Sequence, residues 1–179
     1  MSSLTLTTPL SNEQVCDAVP GSAWLKYNEL AHYNTVDEVL ALSPIGVIFL
    51  LILIEDNSTG HWCVLFAKED AYHWFDPYGY VCDSELSFLS ADKRRELKED
   101  TPLLMNLMLK SSQNKPWTWS SFDFQRHDSR VQDCGRWCVL RARNLDKTDD
   151  EFRAFVTQEA KSKKESFDTT CLRLTADVV

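Results

Sequence analysis

The chain has 179 residues, 44% of them apolar, enough to bury a core without disulfide staples. Its 27 acidic against 19 basic residues leave a net charge of −8, which argues against binding DNA or anionic lipid through the protein's overall field. The six cysteines are scattered and lack paired C-x-x-C spacing, so reduced and mostly buried thiols are expected rather than a zinc ribbon or a disulfide framework.

The N-terminal part, 1–43, carries two capping-box patterns, Ser11-Asn12-Glu13-Gln14 and Thr35-Val36-Asp37-Glu38, and is expected to form short helices. A core region, 44–145, follows. "IGVIFLLILI" (45–54) is too short to span a bilayer, which needs about 20 residues as a helix. Its β-branched content suits a strand buried on both faces. "HWCVLFAKE" and "AYHWFDPYG" read as two more strands, joined as consecutive hairpins. Asn57-Ser58-Thr59 fits a glycosylation sequon, but no apolar signal peptide precedes it, and it reads as a polar turn.

Residues 84–110 return to helix, with Thr101-Pro102 as a start signal and Leu103, Leu104, Leu107 and Met108 as a core stripe. "PWTWSSFDFQ" alternates aromatic with small or polar residues and predicts a further strand. Helical spacing resumes at Cys134, with Trp137 and Leu140 inward. A C-terminal helix and tail, 146–179, begins at a Thr148/Glu151 capping box ahead of Phe152, Phe155 and Val156. The expected fold class is α+β: one domain, with a small mixed central sheet, flanking helices, and a cysteine at the N-terminus of a helix packed on the sheet.

Of the four histidines, His61 has the context of a reactive group, because it opens a strand after a glycine turn. Asp76 ends the next strand and is held extended by Pro77. A hairpin centred near 68–71 makes His61 and Asp76 cross-strand neighbours, so that the carboxylate orients the ring and stabilises its charged form. Cys134 follows a polar break, "HDSRVQD", at a helix start whose unpaired N–H groups favour a thiolate, and Gly135 allows close approach of a substrate or another backbone. An imidazolium beside that thiolate gives the ion pair used in nucleophilic catalysis. The backbone N–H of Cys134 and either Gln125 or Gln132 are the candidate oxyanion donors. Cys63, Cys82, Cys138 and Cys171 read as buried structural thiols.

The motif order is His, Asp, Gln, Cys, the reverse of papain-like enzymes, which run Cys before His. "GHWCVLF", "HWFDPYG" and "FQRHDSRVQDCGRWC" in that order resemble the adenovirus-protease and SUMO-deconjugating clan of cysteine peptidases. Within it, the chain is most similar to the capsid-maturation proteases of virophages, polinton-like elements and other large DNA viruses. The resemblance runs from Ser43 to Arg143 and extends weakly to "FDTTCLRLT". It implies His61 as general base, Asp76 as its orienter, Cys134 as nucleophile and Gln125 as oxyanion donor, since "FQ" follows the aromatic strand as the family's glutamine does. Trp62 is implied to shape the cleft, with Gly135 as a further substrate contact.

The implied activity is a cysteine endopeptidase acting on capsid or core precursors, with a preference for small residues near the cleaved bond. A monomer without metal or other cofactor is expected, in the virion and the infected-host cytoplasm, with an activating peptide as a possible partner. Adenoviral proteases are basic; with −8 here, neither DNA activation nor a membrane partner is expected. Two alternatives stand beside this one: an isopeptidase for ubiquitin-like modifiers, and a non-catalytic binding module of the same fold.

Overall fold

The computed structural model describes residues 8–56, 58–111, 115–128 and 131–179. It is a mixed α+β fold around a five-stranded sheet in the order β1-β2-β3-β4-β5. The strands are β1 (Ala23–Lys26), β2 (Val47–Leu53), β3 (Gly60–Lys68), β4 (Ala71–Phe75) and β5 (Trp117–Trp119). The middle three form the expected antiparallel hairpins, while β1 and β5 add to the two edges in parallel.

Every residue of β2 is buried, as its unbroken apolar run requires. Even-numbered β3 residues, Trp62, Val64 and Phe66, face one core layer together with α1 (Asn12–Ala18), α5 (Cys134–Ala142), α6 (Asp149–Lys163) and α7 (Phe167–Leu174). Odd-numbered Cys63 and Leu65 face a second layer, built by α2 (Val36–Leu40), α4 (Leu103–Ser111) and the 3₁₀ turns 27–32 and 84–88. The remaining helix, α3 (Ala91–Leu97), contributes Leu97 to the first layer.

The capping signals behave as the residue chemistry demands. Ser11 and Thr148 make complete capping boxes, with Gln14 and Glu151 reaching back to the cap amides. Thr35 caps Glu38 N, but Glu38 turns its carboxylate to the Asn34 amide instead. Helix α4 takes its cap from outside its own segment: Tyr27 Oη accepts from Leu103 N, and the Asp83 carboxylate accepts from Met105 N.

Two expectations are corrected. The N-terminal part is not purely helical, because Ala23–Lys26 pairs with Ile48–Leu51 as β1. The aromatic stretch after Pro116 is a strand for three residues only, after which Ser120–Asp128 runs as irregular chain. Asn57, the first residue of the sequon-like turn, lies outside the described residues. Its neighbours are held by Asp56, whose carboxylate accepts from Ser58 N and Thr59 N.

Two buried arginines brace the layer behind Cys134. Arg136 donates to Thr175 O and Val178 O, tying the C-terminal segment to α5. Arg141 donates to Asn144 O, Lys147 O and Asp149 at the start of α6, and lies over the Phe66 ring.

Candidate active site

Strand β3 is longer than β4, and this mismatch makes the site. The β3–β4 ladder begins at Val64–Phe75, so the backbone of Trp62 lies past the end of its neighbour. Two thiols of α5 take up the polar groups left there. Trp62 N–H donates to Cys134 Sγ at 3.5 Å, and the Cys138 thiol donates to Trp62 O at 3.2 Å. The first turn of α5 is thereby fixed over the start of β3. Cys138 is structural, as its apolar setting suggested.

His61 belongs, by strand alternation, to the opposite side of the sheet from Trp62, and it meets Cys134 where the sheet stops. Its Nε2 is 3.0 Å from Asp76 Oδ1, with both side chains buried. Nδ1 is the nitrogen left to serve the hydrogen bond between His61 and Cys134. Burial pushes the His61 pKa down, but the Asp76 carboxylate and Cys134 together outweigh it, and the ring's pKa stands well above the ordinary histidine value. For Asp76, burial pushes up while the His61 charge and hydrogen bonds from Glu85, His61 and Tyr78 N push down, and the net is a lowered pKa.

The hairpin centred near 68–71 is present as expected, with Lys68 opposite Ala71, and it makes His61 and Asp76 cross-strand neighbours. Extending the observed ladder sets Asp76 opposite Cys63, so Asp76 reaches His61 on the diagonal. The turn after Asp76 supplies the aim. Gly79 N donates to Asp76 O, Tyr78 N donates to Asp76 Oδ1, and Tyr78 stacks on the His61 ring at 5.0 Å. Gly79 has φ +74°, and a Cβ there would fall 2.8 Å from Ser121 O, so this turn demands glycine.

The same turn anchors the glutamine loop. Pro77 O accepts from both Phe124 N and Gln125 N, which draws Gln125 to the site. Gln125 is 2% exposed, and its Nε2 donates to Val131 O at 3.2 Å. Since a carbonyl can only accept, that bond settles which end of the amide carries the nitrogen and leaves its second N–H for another acceptor. Gln132 also borders the groove but is exposed to solvent.

A groove of about 890 Å³ joins these groups. It is lined by His61, Trp62, Gln125 and Cys134, and by Leu51, Ile54, Tyr78, Phe88 and the N-terminal residues Pro9–Asn12. Cys134, 8% exposed, therefore lies at the groove's floor rather than sealed in the core. Trp62 forms part of the wall, donating Nε1–H to Leu10 O and packing edge-on against Trp24 and Phe49.

Gly135 departs from its expected role as a substrate contact. A Cβ there would meet Leu10 Cβ and Trp62 Cδ1, each at 3.1 Å, so the close approach it permits is internal packing of the N-terminal segment.

Several groups at the site gave little signal in the sequence. Glu85 sits behind Asp76, and burial and that carboxylate push its pKa up to about 10. Asp133, at the N-cap of α5, makes no capping bond. Burial and the Asp168 charge raise it to about 7. His127 lies against Tyr78 with its ring tilted by 30° and bonds Asp123 at 3.0 Å. Among the described residues, ligand atoms of His61, Cys63 and Asp76 lie within 4.8 Å of one another, close enough for one metal ion if the His61–Asp76 bond were given up.

Fold and site together define an α+β protein with a His–Cys–Asp constellation on a groove, compatible with a cysteine protease. The chain is 34% identical over 134 residues to uncharacterized protein V9 of Sputnik virophage, a match covering 74% of each chain. It belongs to the family of that virophage protein. No known protein-family profile matches the chain. Among the described residues, no helix is long and apolar enough to cross a membrane.

Proposed function

We propose that the chain is a cysteine endopeptidase that cleaves capsid or core precursor proteins of a virus. The observation that carries this reading is the placement of His61 between the buried Asp76 carboxylate and Cys134, on the floor of a groove. The kinship with a virophage protein supports the viral setting, with the virion and infected-host cytoplasm as the place of action.

In this reading the substrate lies across the groove with its scissile carbonyl over Cys134. His61, charged and steadied by Asp76, holds the sulfur as a thiolate, which attacks the carbonyl carbon as a C–S bond forms. The carbonyl oxygen becomes an oxyanion and accepts from the free N–H of Gln125 and the backbone N–H of Cys134. The intermediate collapses, the C–N bond breaks, and the departing amine takes its proton from His61 Nδ1. Neutral His61 then takes a proton from water, the hydroxide cleaves the thioester, and the acid product leaves with the Cys134–His61 pair restored. Ile54 and Phe88, both exposed on the groove's border, suit apolar side chains away from the cleaved bond.

The test is incubation of wild type and Cys134→Ala with virophage capsid precursors, followed by mass mapping of new termini. New termini with wild type alone support the proposal. Their absence, or their persistence with Cys134→Ala, refutes it.

A further inference from the structure

Asp76 Oδ1 is fully engaged, by His61 Nε2 and by Tyr78 N. Asp76 Oδ2 and Glu85 Oε2 are both buried and find no partner so long as both carboxyls are ionised. Yet these carboxyls lie within hydrogen-bonding reach of each other, and Glu85 Oε1 lies 4.0 Å from the Cys63 thiol. A single proton between Oδ2 and Oε2 satisfies both orphans at once. Two adjacent buried carboxylates would repel instead.

Glu85 is the one to hold the proton, since Asp76 already has His61 and an amide to stabilise its charge. We propose that Glu85 is a positioning residue for the catalytic pair: as a neutral acid it donates to Asp76 Oδ2, holding Oδ1 toward His61 and keeping the Asp76 charge in place.

The element carrying Glu85 is built to hold still. It lies on the 3₁₀ turn Ser84–Phe88, whose N-cap Asp83 takes φ +70° and bonds both Tyr27 Oη and Met105 N. The titratable groups facing Glu85 are Asp76 at the end of β4, His61 and Cys63 on β3, and Tyr80 and Cys82 on the approach to the turn. The raised pKa of Glu85 agrees with a proton retained through neutral pH.

The catalytic consequence rests on the peptidase reading, so the test has two arms, both on the full chain. Wild type, Glu85→Gln and Glu85→Leu are compared by NMR titration of the His61 ring and by kcat/KM across pH. Gln still donates to Asp76, whereas Leu fills the space and cannot. Glu85→Gln is expected to stay within about threefold of wild type. Glu85→Leu is expected to lose about tenfold or more, with its acid limb and the His61 ring titration displaced by about one pH unit as Asp76 becomes easier to protonate.

Glu85→Leu with wild-type rate, or with a loss but no displaced limb, overturns the proposal, as does Glu85→Gln falling as far as Glu85→Leu. Should Glu85→Leu not fold, Glu85→Gln decides alone: retained activity supports the donor role and a tenfold loss overturns it. The NMR arm needs no substrate. A wild type without turnover therefore counts against the peptidase reading while the ring titration still judges Glu85.

Discussion

Asp76→Asn isolates the charge at the centre of the site. Asn Oδ1 can still accept from His61 Nε2 and Tyr78 N, and its amide can face Glu85, so shape and hydrogen bonds survive while the charge does not. Unit charges about 4 Å apart at an effective dielectric of about 20 interact by about 4 kcal/mol. Relaxation and the burial of both groups offset part of this, and a net loss of about 2 kcal/mol corresponds to roughly 30-fold in rate. With the carboxylate gone, burial is the largest influence left on His61, and the imidazolium that pairs with sulfur becomes scarce at neutral pH. The assay is the rate of iodoacetamide alkylation at Cys134, followed by peptide mapping so that the half-buried Cys16 does not confuse the count. The wild-type advantage should be present at low and neutral pH and vanish as pH rises through the elevated His61 pKa. An Asp76→Asn rate equal to wild type across that range would refute the coupling of Asp76 to Cys134 through His61.

Gln125→Ala should lower kcat by about 10²–10³-fold if its free N–H meets the oxyanion, while Gln132→Ala should change it little. The opposite result, read by steady-state hydrolysis of a peptide substrate, would move the donor to Gln132. Asp133 should lower stability as pH rises. Its folded pKa of about 7 exceeds the ordinary 3.8, so between those values the folded state binds more protons and stability falls. Asp133→Asn should flatten that part of a Tm-versus-pH curve, and an unchanged slope would contradict the assignment. Dialysis against EDTA should leave alkylation and hydrolysis intact, because His61 Nε2 is already bonded to Asp76 while Nδ1 serves Cys134. Loss of activity restored by Zn²⁺ would instead place an ion among His61, Cys63 and Asp76.

Much of this architecture was legible in the residues, and the failures have identifiable causes. The run from Val47 to Leu53 announced a strand covered on both faces, and the Ser11 and Thr148 boxes announced helix starts, because those signals are local. His61, Asp76 and Cys134 could be singled out by context, and the structure brings all three together. The short strand β1 was hidden because its four half-buried residues have neither alternation nor a long apolar run, and only pairing with β2 defines it. The meeting of His61 with Asp76 could be counted from the turn, since Lys68 does pair with Ala71 and the ladder runs from there without a slip. Glu85 and Asp133 were not singled out; their burial comes from packing of distant segments, which no local pattern encodes. Gly135 was read as an opening for substrate because a sequence does not reveal which neighbour fills the space beside a glycine. That neighbour is Leu10.

The account depends on the Cys134 sulfur acting as a nucleophile served by His61 within the groove. Reaction with a peptidyl vinyl sulfone, read by intact mass and peptide mapping, measures this most directly. One adduct on Cys134 in wild type, reduced at least 10²-fold in His61→Ala, is the predicted result, since base and nucleophile act as a unit. No adduct, an adduct confined to Cys16, or equal labelling of wild type and His61→Ala would contradict it.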